Sequence, residues 1–185
     1  MSAIEIIKII LPSTFLSGIV SALISYIVSI RLKNIDYKNE YYKKILDKRL
    51  EAYKYLEIQI AVMKSTVIDD QDGQIYHFLF GNGSEGTIEF QKNMMLAMSY
   101  SIWINDKTVK ILEELNQVFY LISEFEDTNE IIKRAKRNYN KVSELRKSLE
   151  KSVKYDLFNL HNLNSFIKEK NNNKPRKFQY INSDE

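Results

Sequence analysis

Histidine is the residue that could most readily supply acid–base or metal chemistry, and this chain has only His77 and His161. Neither belongs to an HxH or HExxH pattern, and the chain has no cysteine. Zinc sites need clustered His, Cys or carboxylate ligands, and thiolate or disulfide chemistry needs cysteine. A GxSxG elbow is also missing, although a Ser–His–Asp triad assembled from distant residues stays open. We therefore expect no enzyme activity, metal or cofactor, and interpret His77 as a strand residue with a backbone partner.

Two short segments partly match the sequence motifs of ligand-binding loops but lack the other features that such loops need. If Gly73 in the Asp-rich segment 69–73 were the sixth position of a calcium loop, the first position would be Ile68, which offers no ligand oxygen. Gly81, Gly83 and Gly86 spell GxGxxG, but no βαβ unit surrounds them, as a dinucleotide site requires. We interpret both segments as turns.

A long apolar segment lies near the N-terminus and is the first predicted structural element of the chain. No charged residue occurs from Ile9 to Ile30, between Lys8 and Arg31. About 20 helical residues cross a hydrocarbon core of roughly 30 Å, and a secretory signal has a shorter apolar region. The sequence therefore predicts one transmembrane helix over 9–31. We expect its helix to begin near Pro12, because proline is favoured in a first turn.

The distribution of basic residues predicts the orientation of this span. Residues 1–8 contribute only Lys8, whereas the twenty residues after the span contribute Arg31, Lys33, Lys38, Lys43, Lys44, Lys48 and Arg49. Flanking segments rich in Lys and Arg remain in the cytoplasm. We expect a single-pass protein of the inner (plasma) membrane, with its N-terminus outside and its body in the cytoplasm.

Small residues recur along one face of the predicted span. Residues at i and i+4 share a helix face, and small residues there let two helices approach closely. The pattern predicts self-association, to a dimer or larger homo-oligomer. The alternative is that each serine bonds the carbonyl four residues before it. The residues of this predicted seam are Ser13, Ser17, Gly18, Ser21, Ala22, Ser25 and Ser29.

The rest of the chain predicts a mainly α fold. Apolar periodicity indicates a cytoplasmic, antiparallel bundle of about four helices over 32–168, with one short β or extended segment near 74–80. The predicted helices cover 34–66, 87–104, 105–126 and about 130–157, and residues 169–185 form a polar tail that we expect to be disordered. Asn105 and the segment 127–130 have the composition of helix N-caps. The stripe of the first body helix is Tyr42, Leu46, Leu50, Tyr53, Leu56, Ile60, Met63 and Val67.

Two surfaces of the body could meet a partner. The apolar helix is either the buried centre of the bundle or an adaptable contact face, whose candidates are Met94, Met95, Met98 and Trp103. The last helix is either a solvated basic flank or a face for acidic lipid or another anionic partner. Its bases are Lys133, Arg134, Lys136, Arg137, Lys141, Arg146, Lys147, Lys151 and Lys154.

These features favour a membrane-anchored interaction module that acts as a scaffold, regulator or host–phage exclusion factor. Its expected partners are the lipid bilayer, further copies of itself and an unidentified protein. One alternative is an effector that permeabilises or depolarises the inner membrane when triggered. Another is a membrane-tethered nucleic-acid binder that uses the basic helix 133–154, which is less favoured because no nucleic-acid signature occurs. A single span followed by the segment 48–53 is typical of many small bacterial or phage membrane proteins, and the bias toward Ile, Lys, Asn and Tyr suits an AT-rich genome.

Overall fold

The computed structural model describes residues 3–124 and 127–172, with side chains described for 17–124 and 127–171. Within these ranges the chain forms six α-helices and one antiparallel two-stranded sheet, which confirms the predicted mainly α fold. The chain divides into two compact units, Met1–Lys44 and Ile45–Glu185.

The first helix is much longer than the predicted span. α1 is assigned as one helix over Ala3–Val62. The prediction that a helix begins near Pro12 is wrong, because a proline removes only one amide donor and the remaining bonds of a long helix persist around it. The end of α1 comes before the predicted residue 66. There Lys64 N–H donates to the Ala61 carbonyl (3.0 Å), which tightens the last turn.

A small hairpin follows α1. Strands β1 (Thr66–Ile68) and β2 (Ile75–His77) pair in antiparallel register. The Asp69 N–H donates to the Gln74 carbonyl (2.9 Å), and Gly73 adopts a φ of 68°, so the predicted turn is confirmed. Residue 66 lies in β1 instead of the predicted helix, because a strand of three residues is too short to show a period of two in the sequence.

The predicted extended segment 74–80 is confirmed only in its β2 part, because Phe78–Phe80 forms a 3₁₀ turn. α2 then covers Gly83–Ser99 and begins inside the glycine segment that we predicted to be a turn. A second 3₁₀ turn, Ser101–Trp103, replaces the predicted end of this helix. Gly86 is required here, because a Cβ at this position would collide with the Leu79 carbonyl oxygen.

α3 covers Asp106–Ser123 and begins as the sequence predicts. Asn105 Oδ1 accepts a hydrogen bond from the Lys107 N–H at 2.7 Å, so this N-cap is confirmed. In the buried contact with a later helix, the hydroxyls of Thr108 and Ser152 lie 2.8 Å apart.

The predicted long last helix is two helices, α4 (Thr128–Arg137) and α5 (Tyr139–Phe158). Asp127 Oδ1 accepts from the Asn129 N–H (3.1 Å) and caps α4, as expected for this segment. The helix breaks at Asn138, whose Nδ2 donates to the Arg134 carbonyl at 3.0 Å. This bond, together with that from the Asn138 backbone N–H to the same carbonyl, closes the end of α4.

A sixth helix, α6 (Leu163–Asn172), includes the first residues of the predicted tail. That tail is therefore helical as far as residue 172, and residues 173–185 lie outside the described part of the chain.

The core of the second unit is built from residues of α1 to α5 and the first 3₁₀ turn, together with Met63 after α1 and Ile104 before α3. At its centre the Phe90 and Phe119 rings stack with centroids 4.3 Å apart, and Phe80 lies 5.2 Å from Phe119. The predicted stripe of α1 needs a correction, because Leu50 is 48% exposed whereas Ile45 and other residues take its place. The buried α1 residues are Ile45, Arg49, Ala52, Tyr53, Leu56, Gln59 and Ile60, and the buried Met63 directly follows the helix.

Replacing Gly86 tests the close approach of α2 to the first 3₁₀ turn. In Gly86→Ala the added methyl would meet the Leu79 carbonyl, which belongs to the backbone and cannot rotate away. We expect the free energy of unfolding to fall by about 1–3 kcal/mol. The measurement is urea unfolding followed by fluorescence of the single tryptophan, Trp103. The exposed neighbour change Ser84→Ala should alter stability by less than about 0.5 kcal/mol, and equal stability of the two variants would contradict the packing described.

Candidate functional site

An apolar part of α1 is exposed in the part of the chain that the structure describes. Among the described residues one helix is long and apolar enough to cross a membrane, and none of its apolar window is buried. The large apolar side chains of this window range from 42% exposed at Ile30 to 66% at Tyr26. The set is Ile19, Val20, Leu23, Ile24, Tyr26, Ile27, Val28 and Ile30.

This exposure has a large energetic consequence. Burying one Val, Leu or Ile side chain contributes about 1.5–3 kcal/mol. Seven such side chains left in water represent a cost on the order of 10 kcal/mol or more, comparable to the whole stability of a typical domain. The core helix of a water-soluble protein is mostly buried, whereas none of this apolar window is buried among the described residues.

The predicted small-residue seam lies on the same exposed segment. Ser17, Ser21, Ser25 and Ser29 are exposed, as are Gly18 and Ala22. Within the described side chains, the hydroxyls of Ser21, Ser25 and Ser29 make no hydrogen bond to the carbonyl four residues before them. Ser13 lies in α1, but its side chain is outside the described residues. Ser17 has an interaction of its own, so the hydroxyls on this face that remain exposed without such a bond are those of Ser21, Ser25 and Ser29.

The bases that follow the apolar segment differ in their surroundings. Lys44 pairs with Glu40 at 3.0 Å, and the Lys38 ammonium lies 5.4 Å from the Tyr42 ring centroid. Lys48 pairs with Glu51 at 2.9 Å. Arg49 is different, since it is only 3% exposed and belongs to the core of the second unit.

The predicted basic face is divided between α4 and α5, and several of its members hold the fold together. Lys136 pairs with Asp69 and with Asp72 (2.8 Å), which ties the hairpin turn to α4. Glu150 accepts from Lys154 at 3.1 Å and lies 3.5 Å from Arg146.

The other basic residues are more accessible. The Arg134 guanidinium donates to the Leu121 carbonyl at 3.0 Å, and Lys133 pairs with Glu130. The exposed remainder of the predicted face is Arg137, Lys141, Lys147 and Lys151.

The predicted methionine face is also divided. Met94 is fully buried in the core, and Met98 packs partly against it. Trp103 is half-buried in the 3₁₀ turn, whereas Met95 is 70% exposed. Only part of this set is therefore accessible, and its exposed apolar neighbours are Ile88, Leu96 and Ile102.

Sequence reasoning missed a buried polar cluster, which we call the Arg49 cluster: Arg49, Tyr53, Asp156 and Phe166. The Tyr53 hydroxyl donates to Asp156 Oδ2 at 2.6 Å, and Arg49 Nη2 donates to the Tyr53 oxygen at 3.4 Å. The Arg49 guanidinium carbon lies 4.0 Å from the Phe166 ring centroid, a cation–π distance. The i, i+4 spacing of Arg49 and Tyr53 could have indicated from the sequence that both lie on the apolar face of α1. No sequence pattern indicated that Asp156 and Phe166 belong to the cluster.

Burial controls the protonation of this cluster. Removal from water raises the pKa of Tyr53 far above its usual value, and the hydrogen bond to Asp156 raises it further. The tyrosine therefore remains a neutral hydrogen-bond donor. The bond links α1 to α5 across 103 positions of sequence.

His77 is the other buried titratable group that the sequence analysis singled out. Its ring stacks on Tyr139 with centroids 5.0 Å apart, and Nε2 lies 3.4 Å from the Ser143 hydroxyl. Burial lowers the pKa of His77, while the nearby backbone at Met63 and Tyr139 acts in the opposite direction, and Nδ1 has no hydrogen-bond partner among the described residues. These contacts place His77 in the packing between β2 and α5. No group of His, Cys, Asp and Glu side chains able to hold a metal occurs among the described residues.

Comparison with models of known protein families, with curated proteins and with solved structures gives no match.

Tyr53→Phe tests the hydrogen bond of the Arg49 cluster. The change removes the donor to Asp156 and leaves its buried carboxylate without that partner. We expect the free energy of unfolding to fall by about 1–3 kcal/mol in urea. The control is Tyr155→Phe, because Tyr155 is an exposed residue of the same helix as Asp156. Equal stability of the two variants would show that the bond contributes nothing.

His77 should make stability depend on pH. Because its folded-state pKa lies below the unfolded value of about 6.5, the unfolded chain binds more protons once the pH falls below that value. The free energy of unfolding should therefore decrease as the pH falls from 7 to about 5, with a shallower decrease in His77→Gln. His161→Gln, which changes the exposed histidine, should keep the wild-type slope. Identical slopes in all three proteins would contradict this role.

Proposed function

We propose that this chain is a single-pass membrane protein whose second unit is an interaction module in the cytoplasm. The observation that carries the proposal is the uncovered apolar segment of α1. A bilayer would cover these side chains on every face of the helix at once. The helix also satisfies its own backbone hydrogen bonds, which a segment in lipid must do.

The orientation follows from the charges on either side of that segment. Arg31, Lys33, Lys38, Lys43 and Lys44 follow it, whereas Lys8 precedes it. Basic flanks are retained on the cytoplasmic side. The unit that begins at Ile45 is thereby assigned to the cytoplasm, and residues 1–8 to the outside.

The seam of small residues supports self-association of the span. Hydrocarbon offers no hydrophobic drive between helices, so close packing and interhelical hydrogen bonds decide whether they associate. Gly18 and Ala22 permit close approach, and the hydroxyls of Ser21, Ser25 and Ser29 are available for bonds across the contact. Repetition through Ser17 to Ser29 supplies several such contacts in register.

We favour a binding role for the second unit because many of its polar side chains stabilise the fold through ion pairs and hydrogen bonds. Lys136 and Glu150 hold elements together through ion pairs, and Tyr53 and Asp156 bond to each other inside the core. Exposed apolar side chains on α2, including Met95 and Leu96, give the unit accessible contact area. A scaffold or regulator held at the membrane needs this combination of a stable body and accessible surface.

Substitution of the seam tests the proposed self-association. In Ser17→Leu/Ser21→Leu/Ser25→Leu the bulky side chains would hold two helices apart and remove the hydroxyls. We expect association in membranes to weaken by roughly tenfold, equivalent to about 1.4 kcal/mol. The measurement is the fraction of lysine-crosslinked dimer as the protein is diluted with lipid.

The matched control is Ile19→Leu/Ile27→Leu, which changes the opposite face of the same helix at nearly constant volume. This variant should associate like the wild type. If the serine variant crosslinks as well as the control, the seam does not mediate association.

A further inference from the structure

A pocket opens on the second unit between the end of α1, the first 3₁₀ turn and the start of α2. Its volume is about 350 Å³, within the range of about 300–1,000 Å³ that is usual for small-molecule sites. The wall is mostly apolar, with Leu79 and Phe90 buried and with Ile58, Val62 and Phe78 between 38% and 51% exposed. Since an apolar cavity of roughly 150 Å³ can hold benzene, this pocket has room for an aromatic ring and a short chain.

A buried amide in this wall lacks a hydrogen-bond partner. Gln59 lines the pocket and is 1% exposed, and its Oε1 atom accepts no hydrogen bond from any described residue. Buried polar groups are normally hydrogen-bonded, because an unpaired one lowers stability. The terminal torsion of a glutamine is roughly twofold, so its amide can turn either its oxygen or its NH₂ group toward the pocket. Gln59 can therefore supply the acceptor for a ligand that brings an N–H donor.

The charge of the pocket favours a cation. Among the described residues of the wall, Glu89 is the only charged one, and no described basic side chain pairs with it. The C-terminal end of α1 and the N-terminal end of α2 both reach the pocket, and their partial charges are opposite in sign and offset each other. The exposed ring of Phe78 adds an aromatic face that attracts cations. A positively charged ligand therefore fits the pocket better than a neutral or negative one.

We propose that this pocket binds a small organic ammonium ion, which has an apolar body and one amino group. The body packs against Leu79, Phe90 and Phe78. The ammonium group donates to the Gln59 amide oxygen, and the Glu89 carboxylate supplies the opposing charge. The whole pocket lies within the second unit, so the proposal is independent of the membrane span.

The test is a titration of the full-length protein in detergent micelles with phenethylammonium, followed by NMR of isotope-labelled isoleucine methyl groups. Ile58 lines the pocket, whereas Ile88 is similarly exposed on α2 and lies outside it. We expect the Ile58 signal to shift saturably, with a dissociation constant of about 0.1–10 mM for a ligand of this size, and the Ile88 signal to stay. This difference separates binding in the pocket from partition into the micelle. Equal shifts of the two signals, or no saturable Ile58 shift up to about 20 mM, overturn the proposal.

Two further probes of similar shape test the sign of the charge. Phenethyl alcohol keeps the ring and a hydrogen-bond donor without a charge, and phenylpropionate carries a negative charge. At constant ionic strength the ammonium ion should bind about two- to fivefold more tightly than the alcohol, because Glu89 is exposed to water and its attraction is screened. The anion should bind more weakly still. Binding of the anion as tightly as the ammonium ion contradicts the proposal.

Substitution of Glu89 tests the source of this preference. Glu89→Gln should weaken binding of phenethylammonium about two- to fivefold and leave binding of phenethyl alcohol unchanged. The matched control is Glu85→Gln, because Glu85 is an exposed acid of the same helix that does not line the pocket. This control should bind like the wild type, and equal affinities of the two variants for the ammonium ion overturn the proposal.

Substitution of Gln59 separates a binding role from a structural one. Gln59→Met keeps the length of the side chain and removes the unpaired amide, so the fold should be as stable as the wild type or more stable in urea. Binding of phenethylammonium should nevertheless weaken about two- to tenfold. Unchanged affinity overturns the assignment of Gln59 as the acceptor. If Gln59→Met does not fold, the Glu89 comparison decides by itself, since that side chain is exposed.

Discussion

The structure depends most on the need to keep the apolar side chains of α1 out of water. Ile19, Leu23, Ile24 and their neighbours are exposed on one continuous helix. The free energy at stake is as large as the stability of an ordinary domain. The other parts of the proposed function, from orientation to self-association, depend on whether this segment lies in a lipid bilayer.

The second unit obeys a different constraint, since its helices must bury both apolar and polar residues. Aromatic packing of Phe90 against Phe119 forms its centre. At one edge, the bond from Tyr53 to Asp156 joins α1 to α5, while the Phe166 ring lies against the Arg49 guanidinium. The same arginine that sequence rules count as a topology signal is thus a core residue with its own demand for acceptors.

The sequence predicted the features that depend on local pattern. The mainly α fold, the Asp-rich turn and the caps at Asn105 and Asp127 follow from periodicity and turn chemistry, and all are observed. Boundaries were less accurate. α1 does not begin near Pro12, and the predicted long last helix breaks at Asn138, whose side chain bonds to the Arg134 carbonyl in a contact that no pattern displays.

The Arg49 cluster could not be predicted in full because it depends on contacts between residues that are distant in sequence. Arg49 and Asp156 are far apart in sequence, and charged residues on a helix are usually exposed, so their burial emerges only from the packing of α1, α5 and α6. The seam and the membrane span stay predictions from sequence that the exposed surface of α1 supports. Of the predicted basic face, Lys136 and Arg146 are ion-paired within the fold, and the binding of an anionic partner stays a prediction.

The most direct test of the central claim is alkaline carbonate extraction of membranes that contain the intact chain, combined with a reporter fused after residue 185. The account predicts that the protein stays in the membrane pellet and that the reporter is active only as a cytoplasmic fusion. Replacing Leu23, Ile24 and Ile27 with lysine should release the protein into the supernatant, because charges at the centre of a span are costly. Release of the unaltered chain by carbonate, or a reporter located outside the cytoplasm, would contradict the account.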